Sequence, residues 1–197
     1  MSSKPFLAEL ERIGALKNGH FLLASGRHSG QYIEKFDLLR NPAATQKACE
    51  TLIAGLGADS DVDLIVGPTT GGVILAFEVG RQLGLPTAYA ERISDGGSAR
   101  EIKRDTVINY GTSVLVVDDI LTTGGSIQET LEALRPWKTE VRAIAVLVDR
   151  SGGHVDFGVP LHALAELDIE TWSPDSCPLC ALGVAIVKPG STVKLGG

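Results

Sequence analysis

Two adjacent carboxylates, Asp118 and Asp119, close an apolar run in "VLVVDDILTTGGS", residues 114–126. Ile120 and Leu121 separate them from Thr122, Thr123, Gly124, Gly125 and Ser126. The two glycines leave backbone amides unshielded beside three hydroxyls, a composition suited to cradling a phosphate. Ser126 also opens "SIQE", a capping-box pattern with Glu129, which predicts a helix whose positive N-terminal end faces the same anion. Carboxylates beside an anion-binding loop fit a ligand that carries hydroxyls next to its phosphate, because ionised aspartates accept strong hydrogen bonds from a sugar diol. The expected ligand is a ribose phosphate, with the acids on the hydroxyls and the loop on the phosphate. No GxxxxGK[ST] pattern occurs, so the loop is not a P-loop.

Such residues need a rigid platform, and the flanking pattern supplies one. In "KPFLAELERIGALK", Phe6, Leu7, Leu10, Ile13 and Leu16 recur at helical spacing, and "HFLLASGRHSGQYIEKFDLL" reads as two short strands around a Gly-rich turn. Asn41 and Pro42 suit the N-cap and first position of a helix running to about Leu56. Strands "VDLIVG", "TAYAE", "SVLVV" and "VRAIAVLVD" then alternate with helices from about Gly72 to Leu83 and over "SIQETLEAL". This order predicts an α/β fold, a mainly parallel twisted sheet with helices on both faces. Ligands of such sheets bind beyond the carboxyl ends of the strands. Asp118 and Asp119 stand at one such end, and "GPTTGG", with Thr69, Thr70, Gly71 and Gly72, at another. One domain over 1–197 is expected, with an N-terminal elaboration over 1–40, a core sheet over 57–155 and a tail over 170–197.

The 44% hydrophobic and 21% charged composition lies in the ordinary globular range. A net charge of -6 argues against a broad nucleic-acid or anionic-membrane surface, though a local basic pocket remains compatible with it. The N-terminal "MSSKPFLAELERIG" carries acids inside its apolar pattern, unlike a targeting peptide, so a soluble cytoplasmic protein is expected. Of the three cysteines, Cys177 and Cys180 in "CPLC" form a close pair. Two thiols alone could be half of a zinc site or an ordinary reduced pair, and the second reading is adopted. His154 and His162 are read as structural.

The 114–126 stretch resembles the signature of the type I phosphoribosyltransferases: an apolar strand, two acids, two variable residues, then a Thr/Gly/Ser loop. That resemblance implies that Asp118 and Asp119 hold the ribose hydroxyls of phosphoribosyl pyrophosphate (PRPP), while residues 120–126 hold its 5-phosphate. The hood-like "HFLLASGRHSGQYIEKFDLL", "VGPTTGGV", "VLVDRSGG" and the tail "CPLCALGVAIVKPGS" are similar to segments of the orotate-using branch, so the resemblance spans nearly the whole chain. Orotate carries a carboxylate, and Arg150, at the end of its strand, could bind it bidentately with Thr122 nearby. Many relatives have a lysine where this chain has Ala24; Lys35 is the proposed substitute contact to the base. The lid region "AERISDGGSAREIKRDTVI" lacks the usual histidine but offers Arg92, glycine hinges at 96 and 97, Arg100, Lys103 and Arg104. The resemblance further implies catalysis by Asp118, Asp119, Lys103 and Arg104, and pyrophosphate binding by Thr69, Thr70, Gly71, Gly72 and Arg92. It also implies Mg2+ carried on PRPP rather than bound directly by protein, and a homodimer sharing its lids. A phosphoribosyltransferase for another base, or a non-catalytic PRPP sensor, are the alternatives.

Overall fold

The computed structural model describes residues 4–93, 97, 99–103 and 106–189. Among them the chain forms two sheets. The larger has six strands in the order β5-β4-β3-β6-β7-β8: β3 (Leu64–Pro68), β4 (Thr87–Arg92), β6 (Ser113–Leu121), β7 (Glu140–Asp149) and β8 (Leu161–Glu166) run parallel, with β5 (Arg100–Ile102) antiparallel at the edge of β4. The smaller joins the hairpin of β1 (Leu16–Leu22) and β2 (His28–Ile33) to β9 (Thr171–Trp172).

Alternation along β6 builds the core on both faces of the large sheet. Leu115 and Val117 join Leu10 of α1 (Lys4–Arg12), Leu52 of α3 (Pro42–Leu56), and Leu75 and Val79 of α4 (Gly71–Leu83). Val114 and Val116 pack on the other face with Ile127 and Leu134 of α5 (Gly125–Leu134). β6 is thus clamped from both sides, and its carboxyl end is a fixed point for side chains.

The helix expected after Asn41 forms, with the Asn41 side chain accepting from the Ala44 amide at 3.2 Å and Pro42 in the first turn. Other expectations shift. The first helix stops at Arg12, Gly14 turns the chain at φ 74°, and Leu16 enters β1 rather than a helical stripe. "EKFDLL" folds as α2 (Lys35–Leu39), capped by Glu34, instead of continuing a strand. β8 and β9 had no counterpart in the sequence pattern, and β6 extends past the apolar run to take in both acids. The capping box does not form: Gly124, at φ 79°, starts α5 ahead of Ser126, whose hydroxyl turns to Asp118 while Glu129 pairs with Arg100.

Candidate active site at the strand ends

Asp118 and Asp119 are successive residues of a strand and leave it on opposite faces, 5% and 3% exposed. Asp118 faces α5: its Oδ2 accepts from Ser126 Oγ at 2.7 Å, and its Oδ1 from the Asp119 amide at 2.8 Å. Burial first, and then the neighbouring Asp119 charge, push the Asp118 carboxyl up to about 6. Asp119 faces α2 and α4. Its Oδ1 accepts from the Ile120 amide at 2.7 Å, and Lys35 Nζ stands 2.9 Å from Oδ2 as an ion pair. That pairing lacks hydrogen-bond direction, because buried Oδ2 has no hydrogen-bond partner among the described residues.

Glycine makes this crowding possible. A Cβ at Gly71 would stand 1.6 Å from Asp119 Oδ2, and one at Gly67 would meet Gly72 O at 2.1 Å. The turn after β3 therefore lies flat against Asp119. Gly124 needs its positive φ, and a Cβ there would strike Val155 and Phe157 at 2.9 and 3.0 Å. Thr122 and Thr123 are exposed at the mouth of the loop, before the opening amides of α5, which have no partner within the helix. Thr69 and Thr70 are joined by a cis peptide bond.

Arg150 follows β7, whose register sets Leu121 against Asp149, and its amide donates to Leu121 O at 2.8 Å. Its backbone thus stands beside the end of β6, where the 122–126 loop begins. Its Nε is buried without a hydrogen-bond partner among the described residues, and burial lowers its pKa against the opposing influence of Tyr32. A buried, unsatisfied donor is costly unless a ligand satisfies it. Asp149, meanwhile, accepts from the Ser151 amide at 2.7 Å.

The expected lid is only partly a loop. Arg92 ends β4 and pairs in register with Arg100 of β5. Arg100 is not a lid cation: 8% exposed, it donates to Glu129 Oε2 at 3.0 Å, Thr69 Oγ1 at 3.0 Å, and the carbonyls of Ala90 and Thr69 at 3.0 and 3.3 Å. It ties the 69–72 turn to α5, a role with no local signal because its partners lie 10 to 31 residues away. Lys103 pairs with Glu101 at 2.9 Å, and Arg104 lies outside the described residues. Lys35, expected at the base, pairs with Asp119. A cavity of about 650 Å³ between α1, α3 and β8 contains none of these residues. Donor atoms that could hold a metal ion gather elsewhere, on His20, His28, Cys177 and Cys180.

A sequence profile described as the phosphoribosyl transferase domain matches residues 37–156. An orotate phosphoribosyltransferase of Caldicellulosiruptor bescii is 42% identical over 98% of this chain and 100% of its own length. One from Carboxydothermus hydrogenoformans is 45% identical over 90% of this chain and 92% of its own. The crystal structure of orotate phosphoribosyltransferase from Aeropyrum pernix superposes with a TM-score of 0.72 at 32% identity, covering 85% of this chain and 94% of that one. The chain belongs to the phosphoribosyltransferase family, and within it to the orotate phosphoribosyltransferases. The fold is that of type I members, and the chain is a pentosyltransferase of pyrimidine biosynthesis.

Proposed function

We propose that this chain joins orotate to the anomeric carbon of PRPP, forming a nitrogen–carbon bond as the carbon–oxygen bond to pyrophosphate breaks, and so yields orotidine 5-monophosphate. The carrying observation is Arg150 Nε, buried with no hydrogen-bond partner among the described residues, on a backbone bonded to the end of the strand that carries two buried acids. A cation in that position suits a carboxylate-bearing base.

In this reading Asp118 and Asp119 exchange Ser126 and Lys35 for the ribose hydroxyls, and the loop 120–126 takes the 5-phosphate on the amides opening α5. Thr69 to Gly72 and Arg92 receive the pyrophosphate, and Arg150 with Thr122 orients orotate. Mg2+ carried on PRPP would supply charge neutralisation for the leaving group. Because the transition state develops positive charge on the ribose, positioning and pyrophosphate stabilisation dominate. Lys103 and Arg104 would reach the site of a partner subunit in a homodimer, a reading supported by the exposed apolar Phe77, Val107 and Tyr110. We place the enzyme in the cytoplasm.

The test is steady-state turnover with orotate and with uracil, in wild type and Arg150→Leu. Wild type should use orotate and reject uracil, which leaves the guanidinium unpaired, and Arg150→Leu should raise KM for orotate at least about tenfold while leaving KM for PRPP nearly unchanged. Equal use of uracil and orotate by wild type would remove Arg150 from base recognition; phosphoribosyl transfer to a purine but not orotate would reassign the base altogether.

A further inference from the structure

We propose that His20, His28, Cys177 and Cys180 form a closed structural Zn(II) site that clamps the chain's C-terminal segment onto its N-terminal hairpin. The four ligand atoms all lie within 4.8 Å of one another. His20 Nε2 stands 3.0 Å from His28 Nδ1, 3.4 Å from Cys177 Sγ and 3.7 Å from Cys180 Sγ, and His28 Nδ1 stands 3.3 Å from Cys180 Sγ. A tetrahedral zinc with Zn–S of about 2.3 Å and Zn–N of about 2.05 Å spaces its donors by about 3.3 Å between nitrogens and about 3.6 Å between nitrogen and sulfur. The nitrogen–sulfur separations bracket their edge, and the nitrogen–nitrogen separation is about 0.3 Å shorter than its own.

Hydrogen bonding alone does not account for the cluster. His20 Nδ1 lies 2.8 Å from the Val184 carbonyl, which can only accept, so Nδ1 carries the proton and Nε2 of the neutral ring presents one lone pair. Three donor atoms converge on that lone pair, and one cation at their centre satisfies all of them. The Val184 carbonyl then plays the outer part common at zinc sites, fixing the tautomer and orientation of a ligating imidazole. Charge agrees. Binding releases one proton from each thiol, so two thiolates and two neutral imidazoles leave a divalent ion with no net charge, in a place where His20, His28 and Cys177 are 2%, 7% and 3% exposed. Two nitrogens and two sulfurs select zinc over the hard Mg2+ expected at the substrate. No fifth position is required, so the role is structural.

The ligands come from β1, from β2 and from the segment holding α6 (Pro178–Ala181). Beyond them the chain is stitched to β1 through Val187, whose amide donates to His20 O at 2.8 Å and whose carbonyl accepts from the Leu22 amide at 2.9 Å. A metal here closes a loop of more than 140 residues across the hood. This inference does not depend on the transferase reading.

The test uses the full-length chain, purified without chelator, with metal content measured by mass spectrometry. About one zinc per chain is expected, falling to background in Cys177→Ser/Cys180→Ser. Wild type stripped with chelator and reductant is then titrated with zinc alone and with cobalt alone, which keeps the answer independent of how well the variant folds. Zinc at one equivalent should shield Cys177 and Cys180 from alkylation, and cobalt should give the intense visible bands of a tetrahedral thiolate site. A Cys177–Cys180 disulfide in the purified chain, both thiols alkylating equally fast with and without zinc, or cobalt spectra of an octahedral ion would each overturn the proposal.

Discussion

Asp118 is buried beside a second acid, so its charge weakens the fold. Its carboxyl rises from an ordinary 3.8 to about 6, and at about 1.4 kcal/mol per pKa unit the ionised form costs about 3 kcal/mol of stability. The sign follows from which state holds the proton. A carboxyl with a raised folded pKa keeps its proton longer in the folded chain, so the stability conferred by the neutral form is complete below about pH 4 and lost as pH rises through about 6. Asp118→Asn removes the titration but keeps the contacts, since the amide oxygen still accepts from the Asp119 amide and its nitrogen can donate to Ser126 Oγ. Without PRPP or Mg2+, the variant should therefore be more stable than wild type by about 1–3 kcal/mol at pH 8 and indistinguishable near pH 4. Urea unfolding of both proteins across that range measures the difference. Turnover should move the other way, falling about ten- to a hundredfold through loss of one charge-assisted hydrogen bond to the ribose. A variant less stable than wild type at pH 8, or a gain as large at pH 4 as at pH 8, would refute the account of a charge held at the expense of the fold.

Lys35→Met separates two roles for that lysine: if its main partner is Asp119, KM for orotate should change by less than about threefold, whereas a tenfold rise would return Lys35 to the base pocket. For the shared lid, mixing the inactive Asp118→Asn/Asp119→Asn and Lys103→Ala/Arg104→Ala proteins should restore roughly a quarter of wild-type activity, from one intact site in half of the dimers. No recovery, with subunit exchange confirmed by mass spectrometry, would place the lid in cis or the cations elsewhere.

Much of the frame was legible because it is local. Asn41 and Pro42 start a helix by their own chemistry, and the apolar runs before Asp118 and Arg150 are strands because residues on both sides of each can be buried. What was misread depends on partners distant in sequence. Ser126 and Glu129 carry a capping box by spacing, but a buried carboxylate eight residues back and a guanidinium 29 residues back draw them away, and Gly124 takes over the helix start. Arg100 resembled a lid cation among other cations until Thr69 and Glu129 enclosed it. The "CPLC" thiols read as an ordinary reduced pair because His20 and His28, which gather beside them, lie more than 140 residues away. Histidines on either side of a hairpin turn, read together with a Cys-x-x-Cys pair, were the available signal.

The order of the strands gives the pair of acids a reason beyond doubling a charge. β3, β6 and β7 are neighbours, so the glycine turn at 67–72, the two acids with their loop, and Arg150 emerge from three consecutive strand ends. With about 4.8 Å between strands these ends span roughly 10 Å, the scale of one ligand with a charged group at either side of a sugar. Asp119, against Gly71 and Lys35, belongs to the side of the β3 turn; Asp118, bonded to Ser126, belongs to the side of the α5 loop. A single carboxylate at a strand end can face only one of these. Two in succession address both, and the central strand holding them is packed on each face by helices. A ribose between a pyrophosphate and a phosphate has that same two-sided demand, and PRPP is the ligand proposed for it.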